Sequence, residues 1–171
     1  MRIHPCLFAL LAALAFASAH AAPPDTLCAK GEQVAFSCHP RNAKGKIVSL
    51  CASADLSPTA GTVQYRYGRK NALELVYPAT AEDPRKVFRW GVTAYAGGGA
   101  DYFRFTNGGF GYTVYSGLGR GWQKEGVTVE KDGKRVASLV CGDDALPAEN
   151  WKVMYSAKLP KVAEGDEFEV P

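Results

Sequence analysis

The residues with which this chain could do chemistry are few: one histidine and four cysteines beyond the first 21 residues, and a scatter of carboxylates. Nucleophilic hydrolysis needs a nucleophile, a base and a group that orients the base. The base would have to be His39, which sits in a turn beside Pro40, and the chain carries no Gly-x-Ser-x-Gly elbow. A pair of carboxylates can cleave glycosides when held roughly 5–9 Å apart. The candidates are Glu74, Asp101, Glu125, Asp143 and Asp144. Asp143 and Asp144 are neighbours, which on a strand point to opposite faces, and no spacing marks any other two as a pair. The glycine runs at 97–99 and 117–121 do not match a phosphate-binding loop, which needs Gly-x-x-x-x-Gly-Lys-Ser/Thr between a strand and a helix. Cys28, Cys38 and Cys51 are too widely spaced for a zinc site, which repeats its Cys and His ligands at short intervals. The chain therefore reads as non-enzymatic, with no metal and no cofactor.

The cysteines instead point to a compartment. Met1, Arg2, Ile3 and His4 form a short positive start, residues 6–17 are an unbroken apolar run, and Ala19-His20-Ala21 places small residues at a cleavage site. This pattern predicts a signal peptide over residues 1–21. The run is shorter than the roughly 20 apolar residues that span a bilayer, and no later segment is longer. Neither Cys6 nor Cys28 stands in a lipoprotein setting. A soluble periplasmic or secreted protein is expected. Without Arg2 the chain keeps 19 basic against 17 acidic residues, interspersed, so charge gives no reason to expect nucleic acid as a partner. Loss of Cys6 leaves Cys28, Cys38, Cys51 and Cys141, an even count that reads as two disulfides with three possible pairings. If the hairpin after Cys38 turns between Lys44 and Gly45, Cys38 falls opposite Cys51. Opposed positions on antiparallel strands have Cβ atoms ~4.5–5.5 Å apart, close to disulfide range. This favours Cys38–Cys51 and, by elimination, Cys28–Cys141.

Period-2 alternation between Gly, Pro, Asn and Asp clusters predicts strands near 34–38, 46–51, 62–67, 72–77, 86–95, 102–106, 110–116, 126–130 and 135–141. Asn107-Gly108-Gly109 and Asp132-Gly133 are tight hairpin signals, because those residues tolerate positive φ. About nine short strands argue a single all-β antiparallel sandwich or barrel over residues 22–160. A short C-terminal helical turn would start near Leu146-Pro147, capped by Asp144. Residues 161–171 read as a loose acidic tail.

Residues 88–122 concentrate ten of the 19 aromatics and ten of the 18 glycines. The plainer reading is a β core with glycine turns. The functional reading follows the parity: Phe103 and Phe105 share one face, while Tyr102, Arg104 and Thr106 share the other. Tyrosine and arginine are enriched at binding hot spots, so Tyr102, Arg104, Tyr115, Ser116, Gly117, Arg120 and Trp122 form the candidate binding surface.

Two resemblances bear on this. Residues 51–57 (Cys-Ala-Ser-Ala-Asp-Leu-Ser), Val63-Gln64-Tyr65-Arg66-Tyr67-Gly68, Glu74 to Pro78 and Phe105 to Gly109 leading into Tyr112-Thr113-Val114 resemble a family of small exported bacterial β-proteins of unknown function. That likeness runs from about Cys28 to Cys141 and implies an exported β-domain with no known catalytic residues. A weaker likeness is to the exported disulfide-containing β-barrels with which Gram-negative bacteria inhibit lysozymes by inserting a loop into the enzyme cleft. It rests on Ser116-Gly117 after Tyr115, and Leu118 to Gly121 departs from the polar aromatic stretch that follows in those inhibitors. Together they imply a binding domain, of inhibitor or immunity type, whose partner is a periplasmic or cell-wall enzyme such as a lysozyme. The competing expectations are a cell-wall carbohydrate-binding module, with exposed rings lying flat on one sheet, and a hydrolase, with two of the named acids in one cleft.

Overall fold

A computed structural model describes residues 25–143, 145 and 148–171. The signal peptide expected over 1–21 and the helix cap expected at Asp144 lie outside the described residues. Among the described residues, nine strands form two antiparallel sheets. The first contains β1 (Gln33–Cys38), β2 (Ile47–Ala52), β3 (Val63–Arg69) and β4 (Ala72–Tyr77), in that order. The second contains β5 (Arg89–Tyr95), β6 (Gly98–Asn107), β7 (Phe110–Gly119), β8 (Trp122–Lys131) and β9 (Lys134–Val140), also in order. The sheets are separate rather than closed into a barrel, which makes the fold a sandwich. A short helix α1 (Pro84–Val87), capped by the Asp83 side chain, joins them, and a 3-10 turn (Ala148–Trp151) leads into α2 (Lys152–Ser156) near the C-terminus.

The core is aromatic. Phe105 stacks on Tyr77 at 4.5 Å and on Tyr112 at 4.8 Å, and meets Tyr65 and Phe88 at 5.1 and 5.4 Å. Trp151 stacks on Phe103 at 4.8 Å and meets Phe36 edge-on at 5.9 Å, so the C-terminal helical segment closes one side of the sandwich. The expected parity holds: Phe103 and Phe105 face this core. So does the expected turn chemistry, since Gly108 and Gly109 both have positive φ and connect Asn107 to Phe110 in two residues. The glycine runs at 97–99 and 117–121 are not loops. Gly98, Gly99, Gly117 and Gly119 lie within strands, and the turns shrink to Ala96-Gly97 and Arg120-Gly121.

The disulfides pair as Cys28–Cys51 and Cys38–Cys141, correcting the expected Cys38–Cys51 and Cys28–Cys141. Two turns in succession, with Ala43 N–H donating to the Pro40 carbonyl and Lys46 N–H to that of Ala43, set the hairpin register differently. Cys38 lies opposite Val48, while Cys51 lies opposite Val34 beyond a bulge. A register change reverses the face of a side chain. Cys38 therefore joins Phe36, Val48 and Leu50 in the core, while Cys51 shares the outer face with Ser49. Cys28 reaches Cys51 from the segment that crosses this outer face, where Leu27 N–H donates to Ser49 Oγ at 3.0 Å. Cys38 reaches Cys141 just past β9 and so ties the two sheets together.

The two bridges close loops of 23 and 103 residues. Chain-entropy reasoning gives about 3 kcal/mol for the shorter and nearly 5 kcal/mol for the longer. A non-reducing peptide map should recover Cys28–Cys51 and Cys38–Cys141. In chemical denaturation, the C38A/C141A variant should lose about 1 kcal/mol more stability than C28A/C51A.

Candidate functional site

The second sheet is longer than the first. β6, β7 and β8 run ten residues each, against six or seven for β1 to β4. Its inner face can be followed row by row through the register. Trp90, Phe103, Val114, Val127 and Leu139 form one row, packed on or within the core. The next is Val92, Asp101, Ser116 and Glu125, followed by Ala94, Gly99, Leu118 and Gln123. These two rows project past the first sheet. Val92 is 53% exposed and Leu118 61%. Glu125 is buried on this projecting end, where Gln123 Nε2 donates to its carboxylate at 2.6 Å and Ser116 Oγ lies 3.4 Å from it. Asp101 accepts the Tyr155 hydroxyl from α2, and burial, then the Asp101 charge, pushes that phenol well above the usual tyrosine range. The overhang thus combines exposed aliphatics with two carboxylates held by neighbouring side chains.

The outer face of the same sheet is covered. Residues 161–171, expected as a loose tail, dock as a strap. Trp90 N–H donates to the Pro160 carbonyl and Val162 N–H to that of Trp90, which adds the strap to the β5 edge. The strap then crosses the sheet. Phe168 is buried against Tyr102 at 5.3 Å and Tyr115 at 5.2 Å. Thr93 Oγ1 donates to the Phe168 carbonyl at 2.6 Å, Arg104 pairs with Asp166 at 2.6 Å, and Lys124 Nζ donates to the Pro171 carbonyl at 2.6 Å. Gly117 leaves room for this: a Cβ there would lie 3.1 Å from the Val170 side chain. Acidic composition made the segment read as loose, but Phe168 and Val170 alternate with Glu167 and Glu169 as in a one-sided strand.

The seven expected binding residues are consequently split. Tyr102, Arg104, Tyr115, Gly117 and Trp122 share the outer face by register, but Tyr102 and Tyr115 are each 1% exposed beneath Phe168 and Arg104 is tied to the strap. That surface is not free to meet a partner. Arg120 is exposed at a hairpin tip, and Trp122 is half-buried beside Tyr95 at 6.1 Å. Ser116 faces the other way, onto the overhang, from within β7 rather than from a loop. Of the five acids, Asp101 and Glu125 share a row two strands apart, roughly 10 Å between Cα atoms. They line different cavities, Asp101 beside Trp90 and Tyr155, Glu125 beside Arg41 and Lys124. Glu74 pairs with Lys46 and Asp143 with Arg41, while Asp144 is outside the described residues. His39 pairs with Asp25, whose carboxyl is held below the usual range chiefly by Lys70. Cys28, Glu32 and Cys51 come together, but both thiols are consumed in the disulfide.

Val92, Leu118 and Tyr155 were missed as surface residues. One signal was present in the sequence: along β6, β7 and β8 the inward parity changes from Phe103, Val114 and Val127 to Asp101, Ser116 and Glu125. A scan against family models finds no match, and neither the curated proteins nor the solved structures compared with the chain match it.

Burial pushes the Tyr115 phenol up to about 12, from the 10.0 of an open tyrosine. The folded state holds this proton longer than the unfolded one, so the stability it contributes is complete below pH 10 and is lost between pH 10 and about 12. The loss amounts to about 2–3 kcal/mol. Tyr115→Phe should flatten the alkaline fall in stability. Phe168→Ala should move one tyrosine down toward 10 in an ultraviolet absorbance titration.

Proposed function

We propose that this chain is an exported, non-enzymatic binding domain that acts on a periplasmic or cell-wall enzyme, as an inhibitor or immunity-type protein, and that it meets this enzyme through the overhanging end of the second sheet. One observation carries the reading: Val92 and Leu118, two of the most exposed large apolar side chains, stand on the edge strand β5 and the interior strand β7, on the same face as Asp101, Ser116 and Glu125. The register sets Val92 and Leu118 two strands and one row apart on this face, and a site on strands loses little freedom when it binds. The acidic row favours a basic partner. Two disulfides suit the oxidising compartment in which such an enzyme works.

The carbohydrate-binding alternative needs aromatic rings lying open on a sheet. None of the ten aromatics in residues 88–122 is fully exposed, and most of them pack on other aromatic rings. The hydrolase alternative needs two acids in one cleft, and Asp101 and Glu125 line separate cavities.

The test is inhibition of muramidases of several structural classes on peptidoglycan by the oxidised domain. Stoichiometric inhibition of one class is expected. Leu118→Glu and Val92→Asp should each weaken it at least tenfold while leaving the melting temperature unchanged, and Arg120→Ala should leave it intact. Inhibition that survives both overhang substitutions would move the contact elsewhere, and no inhibition of any class would remove the inhibitor reading.

A further inference from the structure

Beside the overhang, between α2 and the β5 edge, lies an open groove of about 600 Å³. Trp90, Met154, Tyr155 and Leu159 make its walls, so its interior is almost wholly apolar. Lys158 and Lys161 stand at its rim. Lys161 Nζ lies 5.3 Å from the Trp90 ring centre, and among the described residues neither lysine has a carboxylate partner. The carboxylate that does line the groove, Asp101, is engaged by the Tyr155 hydroxyl. The rim is therefore net positive around an apolar cleft.

A second observation points to the same place. Lys158 is the residue just past the C-cap of α2, with φ +48°, and its N–H donates to the Tyr155 carbonyl. Glycine is the usual residue at this left-handed position, because a side chain there is strained. Strained backbone concentrates where a side chain is held for function. Here the strain places an ammonium at the mouth of the groove.

We propose that this groove binds a monoanionic amphiphile: an apolar chain or ring system seated over Trp90 and Leu159, with its carboxylate or sulfonate between Lys158 and Lys161. The volume falls in the range of small-molecule sites, about 300–1,000 Å³, which are mostly apolar with a few placed polar groups. The groove adjoins the protein contact proposed above and shares Asp101 with it, but the residues that would hold the amphiphile, Lys158, Lys161, Trp90 and Leu159, lie outside that contact, so neither reading depends on the other.

Calorimetric titration with dodecanoate below its micelle concentration tests this, with dodecyltrimethylammonium as the opposite-charge control. Saturable one-to-one binding of dodecanoate and none of the cation are expected. Lys158→Gly removes the ammonium and relieves the strained backbone, so it should raise the melting temperature by about 2–4 °C while weakening dodecanoate binding about tenfold. Lys161→Gln should weaken it comparably. Leu118→Glu should leave it unchanged, so the two readings fail separately. Absence of saturable binding, equal affinity for the cation, or undiminished affinity in Lys158→Gly would each overturn the proposal.

Discussion

Ten-residue strands cannot be covered by six-residue ones. At ~3.3 Å per residue the long strands of the second sheet extend roughly 33 Å and the shorter ones of the first about 20 Å. Two sheets packed face to face therefore leave part of one inner face without a partner, and the chain meets this in two ways. Near the core it lays the C-terminal helical segment into the gap, with Trp151 stacked on Phe103 and Met154 buried beside it. Farther out it changes composition, and polar side chains occupy the inward positions. The overhang, the groove beside α2 and the exposure of Val92 and Leu118 all follow from this one mismatch in length.

The outer faces are covered by the segments that flank the strands, 25–28 before β1 and 161–171 after α2. An antiparallel sheet can present one face to water, but here each outer face is partly covered. On the first sheet, Ser37 and Ser49 are buried and bonded to each other at 3.0 Å, with the segment from Asp25 to Cys28 lying over them. On the second, Tyr102 and Tyr115 lie beneath residues 161–171. The first cover is fastened covalently by Cys28–Cys51, and the second by one buried phenylalanine and a few hydrogen bonds. The second disulfide performs a different task, holding the first sheet to the second at the point where β9 ends.

What could be read in advance follows from which interactions are local. Alternation is local, so all nine strands and the inward direction of Phe103 and Phe105 were legible. Tight turns are local too, and Asn107-Gly108-Gly109 and Asp132-Gly133 hold hairpins as their φ preferences dictate. Register is not local. Bulges between Val34 and Phe36 and between Tyr67 and Gly68 shift two hairpins. The turns before β2 had already set Cys51 on the face opposite Cys38, and the first bulge made Val34 its partner. The second set Arg66 beside Val76, leaving it to bond Glu32 at 2.6 Å across the outer face. Coverage is the least local property of all. Tyr102, Arg104 and Tyr115 were assigned to one face correctly, yet whether that face met solvent depended on a segment more than 45 residues away in sequence.

The polar row on the overhang bears on how such a surface could work. Asp101, Ser116 and Glu125 each stand two residues from a core side chain on adjacent paired strands, so their backbones share the rigidity of the core. Glu125 is 8% exposed, and a carboxylate at that depth is costly unless it is hydrogen-bonded. Gln123 and Ser116 supply those bonds from the same face. An apolar residue at 125 would remove the cost, but it would also remove a negative charge held in fixed geometry on the strand next to Leu118. Side chains already ordered by the fold give up little freedom when a partner arrives, and a charge already desolvated gives up little hydration. The mismatch in strand length is thus what permits a contact surface built on sheet rather than on loops, with its orientation set by the register of β6, β7 and β8.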